Sequence, residues 1–136
     1  MTTPQPTLTP ITRPYWDALE QGRLTFQKCE ECDHSWLPAR ECCPACLSPA
    51  WRRVDARGNG RIVSWVVYHT AYADHLKARV PYNVAIVELE EGPRLLTSIV
   101  DCEHAALQVD APVQLKIVPE HGVSLPLFVL SSGSRP

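Results

Sequence analysis

Four cysteines spaced C-x2-C-x10-C-x2-C constrain this chain more than any other feature: Cys29 and Cys32, then Cys43 and Cys46. A C-x-x-C turn presents two sulfurs on one side of a tight knuckle. Two such knuckles complete a tetrahedron around one soft cation. Four thiolates with no free ligand position make a structural site, suited to Zn²⁺ or an iron centre and not to Mg²⁺ or Ca²⁺. Cys42 adjoins Cys43 and is a rival ligand, but Cys43 repeats the two-residue spacing of the first pair and is the expected one. His34 lies between the pairs and would add a donor to a set already complete. Neither pair opens a helix after a βα unit, as a redox C-x-x-C would. Cys102, remote from the rest, reads as a small packed residue.

The remaining composition bounds the class. The chain has 136 residues, 45 % of them hydrophobic, and a formal charge of −2. That is enough apolar material for one compact unit with a small appendage. Four thiolates on Zn²⁺ would make the charge more negative still, which disfavours general nucleic-acid binding, where Lys and Arg must neutralise phosphates. A transmembrane helix needs a run of about 18 apolar residues, which is missing. The opening "MTTPQPTLTPITRP" lacks the apolar core of a secretory signal. A cytoplasmic location is the expectation, and there paired C-x-x-C motifs read as metal sites rather than disulfides.

Along the chain, residues 1–12 form a Thr/Pro-rich arm. "RPYWDALEQGRL" predicts a short helix with Pro14 in its first turn, Tyr15, Trp16 and Leu19 on one face, and Gly22 at its end. The cysteine module follows over 24–50. From Trp51 the pattern becomes that of strands. After Gly58-Asn59-Gly60 comes a long β-branched and aromatic run. Strict alternation there would put Ile62, Ser64, Val66 and Tyr68 on one face and Val63, Trp65, Val67 and His69 on the other. Residues 70–81 read as a loop ending in Pro81. A hairpin joins 82–89 to 94–100 through "EEGP". "DCEHAAL" reads as a helical turn, and "APVQLKIV" and "LPLFVL" as two closing strands. About five strands with at most one short helix suit a five-stranded OB-fold barrel, with a simple sandwich as the rival.

The ordered set "PYWDALEQGRLTFQKCEEC", "CPAC", "GNGRIVSWVVYH", "VPYNVAIVELEEGPRLLTSIV" and "LPLFVL" resembles the family long called domain of unknown function 35, from about residue 13 to 130. The resemblance implies a mainly β chain: an N-terminal arm and helix over 1–23, a rubredoxin-like zinc ribbon over 24–50, an OB-fold over 51–130 and a flexible tail over 131–136. It implies Zn²⁺ on Cys29, Cys32, Cys43 and Cys46. It also implies a non-catalytic accessory role beside a thiolase-superfamily acyl-CoA enzyme, of thiolase or steroid side-chain aldolase type, in a hetero-oligomer, with acyl-CoA as a further ligand. Three positions depart from the family pattern, which has Gly where Asp33, Leu47 and Asp110 stand here. Asp tolerates a left-handed backbone and Leu does so poorly, so the second knuckle is the place to expect distortion.

The loop "HTAYADHLKARVPY" is the candidate partner or ligand surface, with Tyr72, His75, Leu76, Pro81 and Tyr82. OB-folds commonly use the face of their second and third strands. The competing reading is that these side chains cap the barrel. Arg52, Arg53, Arg57 and Arg61 form a basic cluster that would suit CoA phosphates, yet alternation sends neighbours to opposite faces, and ordinary solvated charge accounts for them. A single-stranded nucleic-acid-binding ribbon/OB module is the alternative function, disfavoured by the acidic balance. His69, His75, His104 and His121 are scattered and form no recognised catalytic arrangement.

Overall fold

The computed structural model describes residues 8–37, 39–70, 77–78, 80–120 and 122–131. Helix α1 spans Arg13–Glu20, with proline in its first turn. Strands β1 (Thr25–Cys29), β2 (Ser35–Trp36) and β3 (Trp51–Asp55) form a small antiparallel sheet in the order β2-β1-β3. Strands β4 (Asn59–Tyr68), β5 (Tyr82–Leu89), β6 (Arg94–Thr97), β7 (Pro112–Glu120) and β8 (Val123–Leu130) form a second sheet in the order β6-β5-β4-β7-β8. Residues His104–Ala106 make one 3-10 turn between β6 and β7.

The second sheet curls into a barrel because its end strands meet. The chain beyond β6 turns away from β5 at Ser98 and pairs in parallel with β8, bridging Ile99 to Phe128. Phe128 N–H donates to the Ser98 carbonyl at 3.1 Å, and Val100 N–H to the Phe128 carbonyl at 2.8 Å. A meander of three strands, a fourth pairing back on the first, a fifth pairing with the fourth, and this parallel closure make an OB-fold. The hairpin expected over 82–89 and 94–100 is present, but its second strand ends at Thr97 because the last residues serve the closure instead.

The long β4 departs from strict alternation. Its pairing with β5 shifts register between Ile62 and Ser64. The bulge places Ile62 in the core with Val87, Ala85 and Phe128, all fully buried. Ile62 therefore leaves the face of Ser64, Val66 and Tyr68, where an unbroken period of two would have put it. Two glycines at the start of the strand have a steric reason. Gly58 sits at φ +92 with a virtual Cβ 3.0 Å from Leu115 Cβ, and a Cβ on Gly60 would lie 2.6 Å from the Glu88 carbonyl oxygen.

Strand β3 pairs with β1 over Trp51–Asp55. Sheet pairing thus hands over from one half of the chain to the other between Asp55 and Asn59, a few residues beyond Trp51. The core does not respect that junction. Leu19 of α1 and Leu24 before β1 are buried in the same cluster as Ile62, Val87 and Phe128, and Ala56 N–H donates to the Leu24 carbonyl at 2.8 Å. Each such aliphatic side chain contributes about 1.5–3 kcal/mol by burial.

Candidate metal centre and adjoining surfaces

The two C-x-x-C segments fold into near-duplicates. In the first, Cys29 N–H donates to the His34 carbonyl at 2.8 Å; in the second, Cys43 N–H donates to the Ser48 carbonyl at 2.9 Å. Each turn closes through a left-handed residue four positions after its first cysteine, Asp33 at φ 65 and Leu47 at φ 66. Backbone amides aim at the sulfurs: Glu31 and Cys32 N–H at Cys29 Sγ (3.3 and 3.4 Å), and Ala45 N–H at Cys43 Sγ (3.3 Å). Amide donors favour thiolate over thiol.

The knuckles face each other. The sulfurs of Cys29, Cys32, Cys43 and Cys46 all lie within 4.8 Å of one another. Cys29 and Cys46 Sγ are 3.5 Å apart, and Cys32 and Cys43 Sγ 3.6 Å. A tetrahedron with Zn–S bonds of about 2.3 Å needs sulfurs about 3.8 Å apart, so the donor set fits. The Cys32 amide first, then the Glu31 amide and the neighbouring thiols, bring the Cys29 thiol down to about 7. Cys46 goes the other way. The Ser48 amide favours its thiolate, but the Cys29 thiol, burial and the other two thiols outweigh that and push it up to about 12. Four thiols this close cannot all ionise without a cation to offset their repulsion. Bound zinc supplies that charge and cross-links the two knuckles. Cys42 is exposed and stands outside the cluster of four.

Aromatic and polar side chains brace the centre. Buried Cys29, Trp36 and Cys43 pack together with Trp51, Trp36 and Trp51 meeting edge to face at 6.5 Å. Ser48 hydroxyl donates to Glu31 at 2.8 Å, tying the second knuckle to the first. Gln27, 1 % exposed on β1, holds the segment leading to the second knuckle. Its side-chain amide Nε2 donates to the Arg40 carbonyl at 2.8 Å, and Arg40 N–H donates back to Oε1 at 2.9 Å. Nothing in the sequence pattern marked Gln27, since a glutamine in a short strand reads as solvated.

The three departures from the family pattern all adopt left-handed backbone. Asp110, at φ 66, has a reason for its side chain: it forms an ion pair with Arg61. Leu47 has none among the described residues and is 74 % exposed. Replacing Leu47 by glycine is expected to stabilise the zinc-loaded protein by about 1 kcal/mol, because the left-handed penalty on a Cβ exceeds glycine's extra chain entropy. Urea denaturation of the two proteins measures it, and no gain would mean that Leu47 contributes packing that offsets its strain.

The basic cluster is distributed among in-chain partners. Arg52 pairs with Glu30 at 3.3 Å, Arg57 lies 3.7 Å from both Glu90 and Glu91, and Arg61 pairs with Glu88 and Asp110. Arg53 lies over the Trp51 ring at 5.5 Å. Of the candidate partner surface, Tyr72, His75 and Leu76 lie outside the described residues. Pro81 is exposed, and Tyr82 stacks on Tyr68 with ring centroids 5.3 Å apart. Cys102 packs against the barrel core, where burial and then Asp101 push its thiol up. A groove of about 730 Å³, which strand patterns did not reveal, runs between α1 and the barrel. Tyr15, Trp16, Leu37, Ile86, Leu96 and Leu125 are among its lining residues. No helix among the described residues is long and apolar enough to cross a membrane.

Fold and centre together define a class: a rubredoxin-like zinc ribbon, with four cysteines clustered for metal binding, joined to an OB-fold. Two family domains match in that order, the "ChsH2, rubredoxin-like zinc ribbon domain" over residues 16–52 and the "ChsH2, C-terminal OB-fold domain" over 53–118. The chain belongs to the DUF35 family. A "DUF35 domain-containing scaffold protein" of Methanothermobacter thermautotrophicus is 35 % identical over 109 residues, covering 79 % of this chain and 81 % of that protein. A "probable enoyl-CoA hydratase alpha subunit" of Thermomonospora curvata is 34 % identical over 92 % of this chain, which spans 39 % of that longer protein. Among solved structures, a chain of an "Ltp2-ChsH2(DUF35) aldolase" superposes with a TM-score of 0.82 at 32 % identity, covering 93 % of this chain and 98 % of that one.

Proposed function

We propose that this chain is a non-catalytic accessory subunit that binds and supports a thiolase-superfamily acyl-CoA enzyme. The observation that carries the reading is the similarity, over 93 % of the chain, to a component of a two-protein aldolase. The enoyl-CoA hydratase relative supports acyl-CoA chemistry as the setting, and the scaffold relatives support a binding role. Cys29, Cys32, Cys43 and Cys46 hold the structural zinc in this reading. The loop bearing Tyr72, His75, Leu76, Pro81 and Tyr82 is assigned in this reading to the partner surface, with acyl-CoA as a further ligand. The enzyme supplies the reacting groups, and this chain supplies a rigid surface that completes the enzyme's fold or substrate channel, a form of preorganisation.

The test is affinity purification of the tagged full chain from its native cell, with co-purifying proteins identified by mass spectrometry. A thiolase-superfamily enzyme is expected at fixed stoichiometry, losing activity when this chain is removed. The purified zinc-loaded chain is expected to turn over no acyl-CoA. Turnover by the chain alone, or recovery of single-strand-binding or ribosomal proteins in place of such an enzyme, would overturn the proposal.

A further inference from the structure

The outer face of the barrel's first three strands is unusually apolar. On β4 and β5 the directly opposed outward pairs are Tyr68 with Tyr82, Val66 with Val84, and Ser64 with Ile86; β6 then sets Leu96 beside Ile86. A solvated antiparallel face normally alternates to polar residues. Three of the six large hydrophobic residues found exposed among the described residues lie here: Val66 at 52 %, Tyr68 at 36 % and Leu96 at 71 %. Scattered exposed aliphatics need no explanation, but a contiguous patch marks an interaction site.

This face runs into the groove beside α1, since Val84, Ile86 and Leu96 belong to both. The groove stays open for a covalent reason. Pro126 of β8 has no N–H, so β8 cannot continue its pairing toward β6 beyond the Ile99–Phe128 bridge; instead the Thr97 hydroxyl donates to the Pro126 carbonyl at 2.7 Å. The edge of β6 is therefore left along Arg94–Leu96, flanked by Tyr15 and Trp16 of the helix.

Charge narrows what fits. Arg94 lines the groove, and its nearest carboxylate among the described residues is Glu88 at 3.9 Å, whose Oε1 is already engaged more closely by Arg61. An arginine so loosely held, half-exposed beside apolar residues, is complementary to an incoming carboxylate.

We infer that the outer face of β4–β6 and its groove form the enzyme-docking surface of this chain. Its occupant is an apolar segment of the partner enzyme that carries an Asp or Glu opposite Arg94. The inference rests on the accessory-subunit reading and locates it on residues beyond the loop before Tyr82. Leu96 is the central anchor, Val66 and the Tyr68–Tyr82 pair extend the contact, and Arg94 fixes register. Aromatic and arginine side chains at a desolvated centre are the usual energetic foci of such contacts.

The test uses the acyl-CoA enzyme recovered with the wild-type full chain, purified and titrated by calorimetry against variants of this chain. Leu96→Asp and Arg94→Glu are each expected to weaken binding at least 10-fold. Arg94→Lys is expected to retain most of it, and Gln114→Asp, at an exposed site on β7, to leave it unchanged. Circular dichroism and zinc content identify variants that fail to fold; Leu96 is exposed enough for its variant to fold normally. Wild-type affinity in both Leu96→Asp and Arg94→Glu would overturn the docking surface while leaving the accessory role standing. Recovery of no acyl-CoA enzyme by the wild-type chain would overturn both. A wild-type homodimer that Leu96→Asp dissociates would assign this face to a second copy of the chain and overturn the inference.

Discussion

Cys43→Ser is expected to abolish stoichiometric zinc binding and unfold the ribbon, whereas Cys42→Ser keeps about one zinc per chain and native stability. The two cysteines are adjacent, so composition and local sequence barely differ between the variants. Geometry separates them. Cys43 is buried, receives the Ala45 amide at 3.3 Å and faces Cys32 across 3.6 Å, while Cys42 points its exposed thiol elsewhere. Serine offers a harder, far less acidic donor, and a metal affinity lower by 100-fold or more is the order of magnitude to expect. Elemental analysis after dialysis, with far-ultraviolet circular dichroism, measures both effects. Equal zinc content in the two variants would refute the ligand assignment.

The second large effect is expected at Asn83. Its side chain is 3 % exposed and faces the residues that close the barrel. Nδ2 donates to the Ile99 carbonyl at 2.8 Å, and Ile99 N–H donates back to Oδ1 at 2.8 Å. Ser98 hydroxyl adds a bond to the Asn83 carbonyl at 2.7 Å. One amide thus stands in for a stretch of strand pairing just where the chain leaves β5 to meet β8. Asn83→Ala leaves both Ile99 backbone groups buried without that partner, at a cost of about 3 kcal/mol. For a chain of this size that is a fall in Tm of roughly 10–15 °C, readable by calorimetry. A shift of less than a few degrees would mean that another group or water takes over the two bonds.

How far the chain could be read before folding depends on the range of each signal. The metal centre was legible because both C-x-x-C pairs are local and their chemistry admits few alternatives. Helix α1 and the five barrel strands were legible through periodicity, and the OB assignment is matched by the family domain over 53–118. The left-handed turns at Asp33, Leu47 and Asp110 could be anticipated only because a family pattern set glycine there. The bulge at Ile62 was hidden, since one extra residue in a strand leaves the same composition. Gln27 and Asn83 were hidden because a polar residue in a strand reads alike whether it faces water or clasps a peptide. The groove draws residues from α1, β5, β6 and β8, and such a surface exists only once the closure at Phe128 is made.

The burial of Leu19 and Leu24 among barrel side chains has a thermodynamic corollary. Two modules with separate interiors would melt in two steps, each with its own midpoint. Here Leu19 of the helix and Leu24 of the lead-in to the ribbon belong to the barrel's own cluster, while Cys29, Trp36 and Cys43 pack with Trp51 in a second one, so the barrel interior is incomplete without the segment that leads into the ribbon. Free energy released when the thiolates capture a cation is then shared by the entire polypeptide through linkage. A chelator acting at the knuckles lowers the melting point of a barrel it never touches, and the chain passes between two states rather than three.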